Sequence, residues 1–208
     1  AWPVSYDADG EVEYDLGFGA NLISYPYMAS QSIVDGLGDA SDCLIGILGE
    51  GQASINIGGE WIGGLTEFHG HDGYWFIANQ DCSFSYNEPS ESMTRTSIPS
   101  EPRIVPEPYG FVQSTKQAFF FVENAEINGM ELDDDDVLIA YNGDVIVGAR
   151  YWQGEYTDVP AMGADGNNEG SGYAMSGDDM TFKVLDASSG TLVEMDLKMY
   201  DHMYIEIH

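Results

Sequence analysis

The sequence has 208 residues, of which 36 are Asp or Glu and 6 are Lys or Arg, so the formal net charge is −30. Such a polyanion repels the phosphates of nucleic acids and anionic lipids, so we expect neither class of partner. Hydrophobic residues make up 43% of the chain, too many for a disordered acidic tail, and no apolar run predicts membrane insertion.

The compartment is inferred from the start of the sequence, the lysine content and the cysteines. The sequence begins with Ala1, from which we expect a processed N-terminus and an extracellular or cell-surface location. The scarcity of lysine on an acidic chain suits salty surroundings. Cys43 and Cys82 lack C-x-x-C spacing, which favours a disulfide over a metal or redox pair; two buried thiols are the alternative.

The N-terminal half is predicted to consist of short strands separated by glycines. Gly58-Gly59 predicts a hairpin turn between two of these strands. One short helix is predicted over residues 30–37, with Ser30 as its N-cap and with Ile33, Val34 and Leu37 on one face. The predicted strands are residues 21–25, 53–57, 60–62, 74–77 and 82–86.

A proline-rich segment divides the chain. Five of the eight prolines lie between Pro89 and Pro108, which predicts an extended linker or a strap over the surface. Arg95 and Arg103 are expected to attach this strap to carboxylates of a flanking domain. The predicted domains are an N-terminal β module (1–88), the strap (89–108) and a C-terminal β-sandwich module (109–208).

The C-terminal half carries the clearest hairpin signals. Asn142-Gly143 separates two apolar runs, 137–141 and 145–150, and predicts a type I′ turn. A second hairpin is predicted from residues 181–185 and 191–195, and residues 204–207 alternate like a final strand. We therefore expect an all-β protein with two β-sandwich-like halves.

Three segments of the N-terminal half resemble a recurrent module of secreted and cell-surface bacterial proteins. They are residues 22–26 (LISYP), 59–66 (GEWIGGLT) and 73–76 (GYWF). The module has the pattern N-L-I-S-x-P, then W-x-G-x-L, then G-Y-W.

Three segments of the C-terminal half resemble a second module, found in secreted marine bacterial proteins. They are residues 136–141 (DVLIAY), 143–150 (GDVIVGAR) and 181–184 (TFKV). The two resemblances imply uncharacterised extracytoplasmic β-modules, of a kind often found in adhesins, surface proteins and appendages. They imply no catalytic residues.

Two acidic segments are candidate calcium sites, since Ca²⁺ prefers several oxygen ligands around a flexible turn. Each combines alternating carboxylates or amides with a glycine, although neither has full EF-hand spacing. Ordinary acidic turns are the alternative interpretation. The candidate ligands are Asp7, Asp9 and Glu11 in the first segment and Asp165, Asn167 and Glu169 in the second.

Two further polar clusters have structural interpretations. Residues 133–136 are four consecutive aspartates before a predicted strand, which favours a solvated turn with Asp136 capping the strand. His69 and His71 flank a glycine, which favours a loop over a metal pair.

Aromatic side chains are the other candidates for ligand binding. Trp61, Trp75 and Trp152 are candidate members of a flat platform that stacks on sugar rings. Burial in the core is the alternative interpretation for each of them.

The sequence contains no catalytic motif, and we expect a protein without enzymatic activity. The first hypothesis is an extracellular structural or assembly module, a subunit of a surface appendage, filament or virion-like particle. Its expected partners are copies of itself or other appendage subunits, contacted through residues 1–16 and 204–207. The alternative is a glycan- or peptide-binding adhesin module with calcium as a candidate cofactor.

Overall fold

The chain divides into two compact units, Ala1–Glu101 and Pro102–His208. The computed structural model describes residues 4–6, 12–37, 42–90, 103–166, 172–196 and 204–207. Over these residues both units consist of antiparallel sheets, with one five-residue helix, so the predicted all-β class is confirmed. The division between the units lies inside the predicted strap.

The described part of the first unit contains ten strands and one helix. They are β1 (Val4–Tyr6), β2 (Val12–Leu16), β3 (Gly19–Ser24), β4 (Gln31–Ser32), α1 (Ile33–Leu37), β5 (Leu44–Leu48), β6 (Ala53–Ile57), β7 (Glu60–Gly63), β8 (Glu67–Phe68), β9 (Gly73–Ala78) and β10 (Cys82–Ser85). A five-stranded sheet has the order β3-β9-β5-β6-β7, a three-stranded sheet has the order β1-β2-β10, and β4 pairs with β8. The predicted hairpin at Gly58-Gly59 joins β6 to β7, and both glycines have positive φ, as a type I′ turn requires.

The core of the first unit lies between its two larger sheets and is rich in aromatic rings. Phe76 from the five-stranded sheet stacks on Phe84 from the three-stranded sheet, with 5.1 Å between ring centroids. Tyr86 contacts both of these rings edge-on, and Phe68 lies beside them. Offset and edge-on contacts between rings stabilise a core beyond the burial of their area.

The helix α1 is shorter than predicted and starts from a different residue. The Ser32 hydroxyl accepts the Asp35 N–H at 3.0 Å and donates to the Asp35 carboxylate at 2.7 Å, so Ser32 is the N-cap. The assignment of Ser30 as the N-cap was wrong. Ile33 and Leu37 are buried as predicted, whereas Val34 is 64% exposed.

Cys43 and Cys82 form the predicted disulfide, with 6.5 Å between their Cα atoms. Cys43 directly precedes β5, and Cys82 is the first residue of β10. The bridge therefore connects the five-stranded sheet to the three-stranded sheet across the core.

The described part of the second unit contains nine strands. They are β11 (Gln117–Val122), β12 (Glu126–Ile127), β13 (Met130–Glu131), β14 (Val137–Asn142), β15 (Val145–Tyr151), β16 (Thr157–Met162), β17 (Met180–Asp186), β18 (Thr191–Glu194) and β19 (Tyr204–Ile207). A four-stranded sheet has the order β15-β14-β17-β18, a three-stranded sheet has the order β16-β11-β19, and β12 pairs with β13. Leu138 and Phe182 from the first sheet share one core with Val159 and Ala161 from the second.

The β14–β15 hairpin forms as predicted, but its turn differs from the prediction. Asn142 pairs with Val145, so the turn residues are Gly143 and Asp144, and only Gly143 of these has positive φ. The predicted type I′ turn at Asn142-Gly143 was therefore wrong. The Asn142 side chain instead donates to the Gly172 carbonyl at 3.1 Å and to the Asp178 carboxylate at 3.2 Å.

A segment at the start of the second unit covers the outer face of the four-stranded sheet. Val105, Tyr109 and Phe111 pack against Ile139 and its buried neighbours on that face. Strand β14 is consequently apolar on both faces, in agreement with its nearly continuous hydrophobic sequence.

The two sheets of the second unit approach each other closely at Gly148. A Cβ atom built on this residue of β15 would overlap the carbonyl group of Pro160 on β16. Nearby, the Arg150 side chain donates to the Asp158 carbonyl at 2.9 Å and to its carboxylate at 3.2 Å. Both charged side chains are at most 5% exposed, so this buried ion pair joins the two sheets.

The disulfide gives a first prediction. Replacing Cys43 and Cys82 together by serine should lower the free energy of unfolding by about 4 kcal/mol. Without the bridge, the unfolded chain is no longer restricted by a cross-link over 39 positions. Chemical denaturation monitored by tryptophan fluorescence measures this change. A reductant should weaken the native protein to a similar extent and leave the double variant unaffected. Equal midpoints for the native protein and the variant would contradict the prediction.

Gly148 gives a second prediction. The substitution Gly148→Ala should lower the free energy of unfolding by about 3 kcal/mol, because the backbones of β15 and β16 must separate to admit a methyl group. Thermal and chemical unfolding measure the loss. Gly110→Ala is the matched control, because nothing lies within 4 Å of its Cβ position. A loss at Gly148 no greater than the loss at Gly110 would contradict the argument.

Candidate functional site

A concavity lies in the second unit, where two turns meet. Its volume is about 520 Å³. One turn carries the acidic run before β14, and the other joins β17 to β18. The lining residues are Leu132, Asp133, Asp134, Asp135, Asp136, Ala187 and Ser188.

Asp136 fastens the two turns of this acidic depression together. Its Oδ2 accepts the Asp133 N–H and its Oδ1 accepts the Ala187 N–H, both at 2.9 Å. The side chain is buried, while Asp133, Asp134 and Asp135 are exposed. The predicted solvated turn with Asp136 as its cap is therefore confirmed. Both oxygens of this buried carboxylate bind backbone N–H groups.

Arg103 lies at the rim of the depression. Its guanidinium donates to the Asp135 carboxylate and to the Asp134 carbonyl, each at 2.9 Å. The same group lies over the ring of Tyr151, 3.8 Å from the centroid. As predicted, Arg103 attaches the proline-rich segment to a carboxylate, here Asp135 of the second unit, to which Arg103 also belongs; Arg95 lies outside the described residues.

Asp186 organises the second turn. Its carboxylate accepts hydrogen bonds from the N–H and hydroxyl groups of both Ser188 and Ser189, at 2.6 to 3.2 Å. These donors stabilise the ionised carboxylate and lower the pKa of Asp186 to about 2. The lowered pKa keeps this carboxylate ionised near neutral pH.

The chemistry of the depression follows from these contacts. The carboxylates of Asp135, Asp136 and Asp186 each bind a neighbouring donor of the same unit. Over the described ranges, no group of three or more His, Cys, Asp or Glu side chains is placed to hold a metal ion. The depression therefore presents a negatively charged surface whose two turns are joined through Asp136.

The predicted calcium ligands fall largely outside the described residues. Asp7, Asp9 and Glu11 of the first segment lie outside, as do Asn167 and Glu169 of the second. Asp165 is described, and its Oδ2 lies 3.5 Å from both the N–H and the hydroxyl of Thr115. Calcium binding stays a prediction.

The three tryptophans do not form one platform. Trp152 is 3% exposed and belongs to the core of the second unit, so its assignment to ligand binding was wrong. Trp61 packs against the aromatic core of the first unit, on the same side of the five-stranded sheet as Phe76. Trp75 is next to Phe76 on β9 and points to the opposite face, because side chains alternate along a strand. Trp61 and Trp75 therefore cannot stack on the same sugar.

The side chain and the backbone of His69 both form hydrogen bonds within the first unit. Its Nδ1 forms a 2.9 Å hydrogen bond with the Ser30 hydroxyl, and its N–H donates to the Tyr74 hydroxyl. His71 lies in the following turn with a φ of 75°. The loop predicted here is confirmed.

Sequence reasoning missed the buried Arg150–Asp158 pair. Arg150 ends a run of apolar residues, and Asp158 lies between Thr157 and Val159 in a strand that is buried throughout. A charged residue inside an otherwise apolar strand was the available signal, because a buried charge requires a partner.

Comparisons of the chain with protein-family models, with curated proteins and with solved structures gave no match. No helix in the described part of the chain is long and apolar enough to cross a membrane.

Asp186 gives a prediction about pH. Its pKa is about 2 in the folded state against an ordinary value of 3.8, so its stabilising contribution is present above about pH 4 and is lost as the pH falls towards 2. The difference in unfolding free energy between the native protein and Asp186→Asn should be largest near neutral pH and should shrink below about pH 4.

The control for this experiment is Asp179→Asn, which makes the same change of charge at an exposed position. Chemical denaturation at a series of pH values measures both differences. A difference for Asp186→Asn that stays constant between about pH 7 and pH 2 would contradict the assignment.

Proposed function

We propose that this protein is a non-enzymatic, extracellular structural module that assembles with copies of itself or with other subunits of a surface appendage, filament or virion-like particle. The main support for the proposal is that two strands lie at the edges of their sheets. The strand β1 lies at one edge of the sheet β1-β2-β10, and β19 lies at one edge of the sheet β16-β11-β19.

Edge strands are suited to assembly because they present backbone N–H and C=O groups to a strand from another chain. Each of these two strands forms only a short pairing with its neighbour in its own unit. The strand β1 pairs with β2 over three residues, and β19 pairs with β11 over four. These strands belong to the segments that the sequence analysis assigns to subunit contacts, residues 1–16 and 204–207.

Two other properties support an extracellular location for such a module. Disulfides persist in oxidising compartments, and Cys43–Cys82 is a disulfide between two sheets. The net charge of −30 would make copies repel one another at low ionic strength, whereas salt screens the repulsion. Assembly in a salty medium is therefore compatible with this composition.

Sedimentation of the full chain tests the proposal. We expect an assembly heavier than a single 22.7 kDa copy, with a mass that rises with salt concentration. The physical reason is that the screening length falls from about 10 Å at 0.1 M salt to about 3 Å at 1 M. A single copy at every salt concentration would contradict self-assembly and would favour the glycan- or peptide-binding alternative.

A matched pair of runs, one with calcium and one with a chelator, tests the acidic segments separately. A mass that falls on chelation would support Asp7, Asp9, Glu11, Asp165, Asn167 and Glu169 as ligands. The same mass in both runs would count against calcium as a cofactor of assembly.

A further inference from the structure

Among the residues that the structure describes, one edge of β3 pairs with no other strand. The strand lies at the end of the five-stranded sheet and, among the described residues, pairs only with β9. Just after β3, the Tyr25 N–H donates to the Asp72 carbonyl at 3.0 Å, on the β9 side. Backbone groups alternate in direction along an antiparallel strand, so those of Ala20, Leu22 and Ser24 point to the open edge. The Tyr14 hydroxyl donates to the Ser24 carbonyl there at 3.0 Å, so this carbonyl already accepts one hydrogen bond, and a second strand would use its other lone pair.

The strand β3 itself carries none of the charged side chains that usually protect an exposed edge strand; the Asp81 carboxylate binds the Phe18 N–H at 2.9 Å just before it. Residues 16–34 are 19 consecutive residues without an Asp, Glu, Lys, Arg or His, in a chain that carries 36 acidic side chains. The edge strands β7 and β18 each carry an exposed glutamate, Glu60 and Glu194. Charged side chains on an edge strand oppose pairing with another chain, and β3 has none.

Apolar side chains are exposed along the same segment. Phe18 is 79% exposed, Leu22 is 52% exposed and Met28 is 70% exposed. Leu22 lies opposite Trp75 on β9, so the two side chains share the outer face of the sheet. An uncharged, apolar edge strand of this kind is a site of association.

The charge of the chain indicates which partner fits. Two copies, each with a net charge of −30, repel one another over most of their surfaces. The repulsion is smallest where the uncharged segment of one copy meets the uncharged segment of the other. A basic partner would instead be attracted to the acidic surfaces elsewhere on the molecule.

We propose that two copies of this chain pair antiparallel along β3, which joins their five-stranded sheets into one continuous sheet. A two-fold axis at Leu22 places Leu22 opposite Leu22 of the second copy and Ala20 opposite Ser24. The same register brings Phe18 to Pro26 of the second copy. The contact is self-complementary, as a two-fold interface requires. This inference rests on the proposed self-assembly and names one of its contacts.

A charge substitution tests the contact. Leu22→Lys places two ammonium groups opposite each other and removes an apolar contact, so self-association should weaken at least about tenfold. Sedimentation over a range of concentrations measures the change. Leu192→Lys is the matched control, because Leu192 is an exposed leucine on the edge strand β18. Leu192→Lys should leave self-association at the native level. The thermal midpoint and circular dichroism of both variants verify that they fold.

A cross-link tests the register. Directly opposed residues of a hydrogen-bonded antiparallel pair have Cα atoms about 5.5 Å apart, which a disulfide spans. Both native cysteines are already bridged, so Leu22→Cys adds one free thiol. Mild oxidation should convert this variant to a covalent pair of twice the chain mass. Leu192→Cys under the same conditions should remain a single chain on a non-reducing gel.

The two proposals fail in different ways. A native chain that sediments as a single copy at all salt concentrations overturns self-assembly and this contact together. A native chain that assembles, while Leu22→Lys assembles equally well and Leu22→Cys gives no covalent pair, overturns the β3 contact and leaves the structural function in place.

Discussion

The structure depends on one electrostatic constraint, which is that 36 acidic side chains share only 6 basic ones. Most carboxylates therefore cannot pair with a cation of the same chain. In the described turns, carboxylates bind backbone N–H groups and hydroxyls instead, as at Asp35, Asp136 and Asp186. The bonds at Asp35 and Asp186 are local and stabilise the turn in which each residue lies, whereas Asp136 also accepts the distant Ala187 N–H and so joins two turns.

The scarcity of cations makes the position of each arginine informative. Arg150 lies between the two sheets of the second unit with Asp158, and Arg103 fastens the covering segment to the acidic turn. The ion pairs that the structure describes, Lys183–Glu194 included, lie in the second unit. The first unit is stabilised by ring packing around Phe76 and by the Cys43–Cys82 bridge. The uncharged β3 edge belongs to the same pattern. Where acidic side chains are absent, the chain also loses its protection against association.

Local sequence signals predicted the elements whose structure is decided locally. The Gly58-Gly59 turn required positive φ at both positions, which glycine adopts without strain, and the hairpin formed there. Strong alternation likewise located β17 and β18, and the cysteine spacing favoured the observed disulfide. The acidic run before β14 was also understood correctly, because an aspartate next to a strand end commonly accepts backbone N–H groups.

Contacts that are distant in sequence decided the features that were predicted wrongly. Asn142 stays in β14 because its amide binds Gly172 and Asp178, about 30 residues further along the chain. Ser30 binds His69 across the β4–β8 pair and leaves Ser32 to cap the helix. The orientation of Trp75 and Trp61 depends on which face of the sheet meets the core, and composition does not specify that face. For the same reason, the open edge of β3 appears only once the strand order is known.

The segment that covers the second unit also determines where that unit begins. The proline-rich sequence suggested a start at residue 109, but Arg103 already binds Asp135 in the acidic turn and Val105 packs on the four-stranded sheet. A fragment begun at residue 109 would expose part of an apolar sheet face around Ile139 and would lack the arginine that pairs with Asp135. Any recombinant version of this unit should therefore start no later than Arg103, because Arg103 and Val105 bind its acidic turn and its four-stranded sheet.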